Sequence, residues 1–176
     1  DGFRIAVEVE YAMEKIRYKA SISIEAKDNK LSFNYESESG SSFLRNRIGI
    51  CILHPIKECR GKPVLITHPD GSQSEGHFPE LISPRQPFKN VSAMRWSPGK
   101  AIVAQLGFEG DVFESEDQRN WTDASYKTYS TPLDLPFPVK VKKGEQVHQS
   151  ITLKMERKTR FDEFSDTANA LSSPTG

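Results

Sequence analysis

The stretch Ile16-Arg17-Tyr18-Lys19-Ala20-Ser21-Ile22-Ser23-Ile24-Glu25-Ala26 places an apolar side chain at every second position. A period of two is the pattern of a β-strand with one buried face and one solvent face. The same period runs through residues 3–11 before it and residues 31–35 after it, and residues 27–30 are turn formers. These segments predict consecutive antiparallel strands, of which the second and third form a hairpin.

Proline and glycine divide the rest of the chain into short strands. His68-Pro69-Asp70-Gly71 predicts a turn between two strands, while residues 78–90 contain three prolines and exclude a helix. Residues 132–138 contain three more prolines and precede the last predicted strand. We therefore predict an all-β protein, an antiparallel β-sandwich with long proline-rich connections, over residues 1–155. Residues 156–176 are predicted to be a polar tail or a linker toward a following domain.

Charge and hydropathy narrow the class of partner. The 176 residues include 24 lysines and arginines and 24 acids, so the formal net charge is zero and the pI is near 7.1. This balance gives no long-range attraction to nucleic acid or to anionic membranes. The mean hydropathy is −0.59, and no long apolar run occurs. We predict one soluble domain that contacts neither nucleic acid nor membrane.

The cysteines and histidines do not have the spacing of a metal site. Cys51 and Cys59 are too few for a disulfide framework, although one bridge between them is an alternative, and we predict a reducing, cytoplasmic location. Together with His54, His68 and His77 they lack paired C-x-x-C spacing, so no metal and no cofactor are predicted. We expect Cys51 to pack in the core and His54 to form a hydrogen bond.

A polar segment with embedded aromatic residues occupies positions 114–129, Glu114-Ser115-Glu116-Asp117-Gln118-Arg119-Asn120-Trp121-Thr122-Asp123-Ala124-Ser125-Tyr126-Lys127-Thr128-Tyr129. Its carboxylates and amides can bond hydroxyl groups, its cations can hold a carboxylate, and its indole can stack on a sugar ring. Three interpretations stay open: a site for a sugar or sugar acid, a hydrogen-bonded corner that braces the fold, or a contact with another domain. The candidate substrate-binding or interface residues are Arg45, Arg47, His54, Glu114, Glu116, Asp117, Arg119, Asn120, Trp121, Asp123 and Lys127.

Two arginines upstream are predicted to join the polar segment. Arg45 and Arg47 share one side of an extended stretch, from which they could reach the acids of the segment. Glu114 and Glu116 could form a general acid and base pair with one raised pKa, or arginines could neutralise them in structural ion pairs. Such a network is expected to be ordered, because half-paired buried charges are costly.

Three stretches together resemble a known family. They are Phe43-Leu44-Arg45-Asn46-Arg47-Ile48-Gly49 with Cys51-Ile52-Leu53-His54-Pro55, then Phe78-Pro79-Glu80-Leu81-Ile82-Ser83-Pro84-Arg85-Gln86-Pro87-Phe88, and then residues 116–129 of the polar segment. They resemble the N-terminal region of bacterial D-apionate lactonases over residues 43–153. Ser115 stands where the family more often has methionine, and Ser130 where a cysteine is frequent. Neither departure changes a charged position.

The resemblance implies a sugar-acid lactonase that opens apionolactone to apionate in apiose breakdown. In that family a β-sandwich precedes a glycosidase-like barrel, which would be the partner domain and would carry the catalytic carboxylates. The resemblance thus implies that this chain lacks the full catalytic machinery, and it assigns no catalytic residue. The polar segment would lie at the boundary with the barrel and contact the sugar acid or lactone.

Two alternatives from the residues themselves stay open. The first is a self-sufficient carbohydrate-binding or mutarotase-like sandwich, in which Arg119, Trp121 and Asp123, with His54 or His77, handle a sugar directly. The second is a purely structural interaction module.

Overall fold

The structure is a computed structural model, and it describes residues 1–159 of the chain. Strands dominate this part, which also contains one short α-helix and one 3-10 helix. The elements are β1 (Gly2–Met13), β2 (Ile16–Lys27), β3 (Lys30–Ser39), β4 (Phe43–Arg45), β5 (Cys51–Pro55), α1 (Ile56–Cys59), β6 (Pro63–Thr67), β7 (Gln73–His77), β8 (Ala93–Gly99), β9 (Ile102–Glu109), β10 (Glu114–Asp117), the 3-10 helix (Gln118–Trp121), β11 (Ser125–Tyr129), β12 (Val139–Val141) and β13 (Gln146–Arg157).

The larger layer is an eight-stranded antiparallel sheet in the order β1-β2-β3-β13-β9-β8-β6-β7. Strands β1 to β3 pair in sequence order, which confirms the hairpin predicted from the period of two. The β2–β3 loop consists of two residues, and Asp28 adopts a φ of 54°, a left-handed conformation that aspartate tolerates better than most residues.

The second layer is a three-stranded antiparallel sheet in the order β10-β11-β5, and a two-stranded ribbon of β12 and β4 lies beside it. Tyr126 on β11 is fully buried in the same hydrophobic cluster as Met94 on β8 and Ile151 on β13, so the core lies between the two sheets. The fold is thus the predicted antiparallel β-sandwich.

The proline-rich connection between β7 and β8 is an ordered part of the core. Phe78 is fully buried at its start, and its ring meets those of Phe88 and Tyr126 at centroid distances of 5.4 and 5.2 Å. Burial of two aromatic side chains ties this connection to both sheets, since such rings contribute a large share of core stabilisation.

The end of the sandwich lies slightly beyond its predicted boundary. Strand β13 runs through Arg157, where it pairs with Ile102 of β9, so the sheet includes two residues that were predicted to belong to the tail. Residues 160–176 of that predicted tail lie outside the described part of the chain. Within residues 1–159, no helix has the length and apolar character needed to cross a membrane.

The expectation that Cys51 packs in the core is wrong. The buried side chains of this stretch are Ile50 and His54, and the alternation of an extended chain therefore turns Cys51 outward. Cys59, at the end of α1, is the buried thiol, and burial raises its pKa to about 11. Both cysteines are free thiols.

Candidate functional site

The centre of the polar segment is a buried ion pair between Asp117 and Arg119. The Asp117 side chain is completely buried at the end of β10, and Arg119 follows in the first turn of the 3-10 helix. Arg119 Nε donates to Asp117 Oδ1 at 2.9 Å, and Nη2 donates to Oδ2 at 2.8 Å. This two-pronged geometry is the strongest form of an arginine–carboxylate contact.

The same guanidinium clamps the proline-rich connection. Arg119 Nη1 donates to the carbonyl of Glu80 at 3.0 Å, and Nη2 donates to those of Pro79 and Leu81 at 2.9 and 3.1 Å. From the other side, Asp117 Oδ2 accepts from the backbone N–H of Ser83 at 2.9 Å. The pair therefore satisfies backbone groups of a connection that has no sheet partner for them.

Two neighbours of the ion pair complete this contact. Asn120 donates through Nδ2 to the carbonyl oxygens of Ser83 and Asp117, and Tyr126 donates its hydroxyl to the carbonyl of Pro79. The Arg119 guanidinium also lies over the Tyr126 ring, 5.2 Å from its centroid. We call residues 79–83 with Asp117, Arg119, Asn120 and Tyr126 the clamp.

The contacts within the clamp favour the charged forms of Asp117 and Arg119. Burial would raise the pKa of Asp117, but hydrogen bonds from Arg119 and from the Ser83 N–H, with the arginine charge, together lower it. The hydrogen bonds to Asp117 raise the pKa of Arg119. The Arg119 guanidinium already donates to one carboxylate and three carbonyls. It therefore has no free pair of N–H groups for a two-pronged contact with a ligand carboxylate.

A second, more exposed cluster surrounds Glu116. Its carboxylate accepts from Trp121 Nε1 at 3.0 Å and from Gln118 Nε2 at 2.9 Å, and Lys127 Nζ lies 2.9 Å from Oε2. Burial would raise the pKa of Glu116, but the bonds from Trp121, Lys127 and Gln118 lower it overall. The indole of Trp121 is 70% exposed and is the ring surface that this cluster offers to a partner.

Glu114 is sealed beneath the surface. Its side chain is 1% exposed, and Oε1 accepts from the Tyr129 hydroxyl and from the backbone N–H of Leu133, both at 2.6 Å. Burial and the contact with this carboxylate raise the pKa of Tyr129. Two cations lie over the Tyr129 ring, with Lys127 Nζ 4.8 Å and the Arg47 guanidinium 5.7 Å from its centroid.

The prediction that Arg45 and Arg47 pair with the acids of the polar segment is wrong. Within residues 1–159, neither arginine forms an ion pair with a carboxylate. Arg45 lies opposite Val139 in the ribbon of β4 and β12, outside the three-stranded sheet that carries the acids. Both arginines line a separate cavity of about 270 Å³.

The remaining candidates lie apart from the clamp. His54 is 2% exposed, its Nε2 lies 2.7 Å from Thr128 Oγ1, and the rings of Phe78 and Trp96 lie 5.7 Å from its own. Burial lowers its pKa to about 4, so the imidazole is neutral near pH 7. Asp123 is exposed and accepts from Ser125 Oγ at 3.4 Å. In the described part of the chain, no three acidic, histidine or cysteine side chains converge as metal ligands would.

Sequence analysis missed an apolar groove of about 480 Å³ on the inner face of the large sheet. Leu31 and Phe33 of β3 with Ile151 and Leu153 of β13 form its floor, and Leu53 of β5 lies at its side. The alternation of β3 and β13 shows which face of each strand is apolar. It does not show that the smaller sheet leaves part of this face uncovered.

The fold is similar to those of solved structures that include a galactose mutarotase-like protein. A protein of Synechocystis sp. PCC 6803 matches with a TM-score of 0.57 at 9% identity, covering 90% of this chain and 63% of that one. A galactose mutarotase-like protein from Lactobacillus casei ATCC 334 matches with a TM-score of 0.55 at 10% identity, covering 87% of this chain and 70% of that one. At these identities the likeness concerns the fold alone.

The sequence identifies the family within this fold. The family model of the D-apionate lactonase N-terminal domain matches residues 1–158. A D-apionate lactonase of Brucella anthropi is 44% identical over 133 residues, which cover 75% of this chain and 22% of that protein. The chain belongs to the D-apionate lactonase N-terminal domain family, as its motifs predicted. It spans about a fifth of the length of the curated relative.

Proposed function

We propose that this chain acts as the N-terminal accessory domain of a sugar-acid lactonase that hydrolyses apionolactone to apionate in apiose catabolism. Family membership supports the reaction class. The observation that carries the accessory role is the clamp, because Asp117 and Arg119 are bonded to each other and to residues 79–83. The most polar segment of the chain therefore braces the sandwich.

Lactone hydrolysis needs groups that the described residues do not offer in an open site. Water must lose a proton as it adds to the carbonyl, and donors must stabilise the oxyanion before the ring C–O bond breaks. Among the acids of the polar segment, Asp117 is neutralised by Arg119, Glu114 is sealed, and Glu116 is paired with Lys127. We therefore place the catalytic carboxylates in the barrel domain that the family resemblance implies.

The first test compares hydrolysis of apionolactone by the 176-residue chain and by a longer protein that includes the following domain. We expect turnover only from the longer protein, because only it would supply a proton acceptor and an oxyanion site. Release of apionate can be followed by the acid it liberates. Turnover by the 176 residues alone would place catalysis within this sandwich and overturn the accessory role.

The large sheet carries an uncovered apolar face that suits the partner domain. Ile5, Ile24, Phe33 and Ile151 are directly paired neighbours across four strands, so their side chains lie on one face. Ile151 is in the core at one end of this row, while Ile5 at the other end is 46% exposed. The apolar face of the core thus continues to the edge strand, where nothing within residues 1–159 covers it.

The occupant that we propose for this face is the following domain of the same protein. The curated relative is several times longer than this chain, so most of such a protein lies beyond the sandwich. The C-terminal part of strand β13 lies beside the groove. Met155 lines the groove, and Lys154 pairs with Lys30 at the start of β3. An exposed apolar surface at that point marks an interaction site.

Substitutions on the two faces of β1 test this docking. In the longer protein, Val7→Glu is expected to lower the free energy of unfolding by about 2 kcal/mol or more, because a charge would replace a buried apolar side chain. The matched variant Ala6→Glu changes the opposite face and is expected to cost less than about 0.5 kcal/mol. Urea unfolding measures both.

The 176-residue chain serves as the control for docking. In it Val7 is exposed, and Val7→Glu should therefore change stability as little as Ala6→Glu. Equal effects of the two variants in the longer protein would contradict docking on this face. Conversion of a dimeric 176-residue chain into a monomer by Val7→Glu would assign the face to a second copy instead.

The cytoplasmic location is part of the same proposal. Both cysteines are free thiols, which is compatible with a reducing compartment.

A further inference from the structure

We propose that the cavity lined by Arg45 and Arg47 binds a small organic carboxylate. The cavity lies where the ribbon of β4 and β12 meets residues 131–137, and its volume is about 270 Å³. It is distinct from the clamp and from the apolar groove. The inference concerns binding and does not depend on lactone hydrolysis.

Arg45 provides the first reason. Its Nε and Nη1 atoms are buried and have no hydrogen-bond partner among the described residues. Nε and Nη1 lie on different edges of the guanidinium and are closed to solvent, so a ligand in the cavity would bind at the third nitrogen, Nη2, which also forms no hydrogen bond within residues 1–159. A carboxylate there would supply the counter-charge that the half-buried guanidinium lacks. The unused donors therefore indicate an anionic ligand at this wall.

Arg47 adds a second cation to the same wall. Its Nε donates to the carbonyl of Thr131 at 3.1 Å, and its guanidinium stacks over the Tyr129 ring. These two contacts orient the side chain and leave Nη1 and Nη2 without a hydrogen bond within residues 1–159. Among the described residues that line the cavity there are two arginines and no acid.

The rest of the cavity wall is mostly apolar. Pro132, Pro136, Phe137 and Val139 line it, and the Phe137 ring is 60% exposed. Apolar and ring surfaces facing a few directed donors are typical of small-molecule sites, and this volume falls just below their usual range of about 300–1,000 Å³. An inorganic oxyanion would gain nothing from this wall, so an organic acid with an apolar face fits better.

Benzoate is a suitable probe because it combines a carboxylate with a flat ring. We expect benzoate to shift the Arg45 and Arg47 side-chain Nε–H resonances of the 176-residue chain, with a Kd on the order of 1 mM. Neutral benzamide tests the charge and should give no saturable shift. Inorganic phosphate tests the apolar wall and should bind more weakly than benzoate.

Variants assign the binding to this cavity. Arg45→Gln is expected to weaken benzoate binding by about tenfold or more, since it removes a charge-assisted hydrogen bond. Phe137→Ala should weaken benzoate binding and leave the phosphate affinity unchanged, while Arg4→Gln on β1 serves as a matched surface control. If Arg45→Gln unfolds the chain, the benzoate affinities of Arg47→Gln and Phe137→Ala test the same cavity, and both should be lower than that of the parent chain.

Three results would overturn the proposal. Absence of benzoate shifts at Arg45 in the folded chain would show that the cavity takes no organic acid. Phosphate binding as tight as that of benzoate would make it a general anion site. Binding by the 176-residue chain but not by the longer protein would mean that an acidic side chain of the following domain occupies the cavity.

Discussion

Arg119→Ala is expected to lower the free energy of unfolding of the chain by about 3–5 kcal/mol. The substitution leaves the buried Asp117 carboxylate without its cation and removes donors from the carbonyls of residues 79–81. Removal of one member of a buried pair costs this much because the remaining charge stays desolvated. Urea denaturation at neutral pH, followed by tryptophan fluorescence, measures the change.

Two further variants separate the clamp from a simple charge effect. Arg119→Lys keeps the charge but cannot reach the same set of acceptors, so it should recover only part of the loss. Lys89→Ala breaks the exposed pair with Asp134, which lies at 2.5 Å, and should cost less than about 1 kcal/mol. If Arg119→Ala were as mild as Lys89→Ala, the clamp would not brace the fold.

Acidification is expected to destabilise the chain through His54. Burial lowers the pKa of this imidazole in the folded state to about 4, whereas the unfolded chain has a value near 6.5. As the pH falls below 6.5, the unfolded chain binds a proton that the folded chain does not, so the stabilisation is lost progressively toward pH 4. The two values correspond to a loss on the order of 3 kcal/mol.

The measurement is the free energy of unfolding at pH 7.5 and at pH 4. The contribution of His54 is the difference in this loss between the parent protein and a variant without the histidine. His54→Gln should reduce the loss on acidification by on the order of 3 kcal/mol, while His77→Gln on the exposed strand β7 should leave it unchanged. Equal pH dependence in all three proteins would contradict the assignment to His54.

The candidate site shows how the same residue types can serve a ligand or the fold. Asp117, Arg119 and Asn120 were predicted as binding candidates because they can pair with hydroxyls and carboxylates. The structure gives them protein partners instead, in the backbone of residues 79–83. A peptide carbonyl and a sugar oxygen both accept hydrogen bonds from a guanidinium. The residue types alone therefore do not show which of the two an arginine binds.

Sequence reasoning was most successful where the signal is local. The strands β1, β2 and β3 follow from alternation, since a period of two places every apolar side chain on one face whatever lies nearby. The prediction for Cys51 failed because it rested on the residue type, whereas the alternation of Ile50, Ile52 and His54 turns Cys51 to the opposite face. The pairing of Arg45 with the acids was predicted because Arg45 and Arg47 share one side of an extended segment, whereas the ribbon of β4 and β12 places Arg45 at another cavity.

By itself, the sequence determined the antiparallel sandwich, the order of its hairpins and the family of the chain, because alternation, turn residues and motifs are properties of neighbouring positions. The tertiary structure alone decided that Arg119 donates to carbonyls 38–40 residues away and that Nε and Nη1 of Arg45 have no hydrogen-bond partner within residues 1–159. It also decided that no part of residues 1–159 covers the apolar face of β1. The physical reason is that periodicity specifies which side of a strand is apolar, whereas the packing of distant segments specifies what, if anything, lies against it.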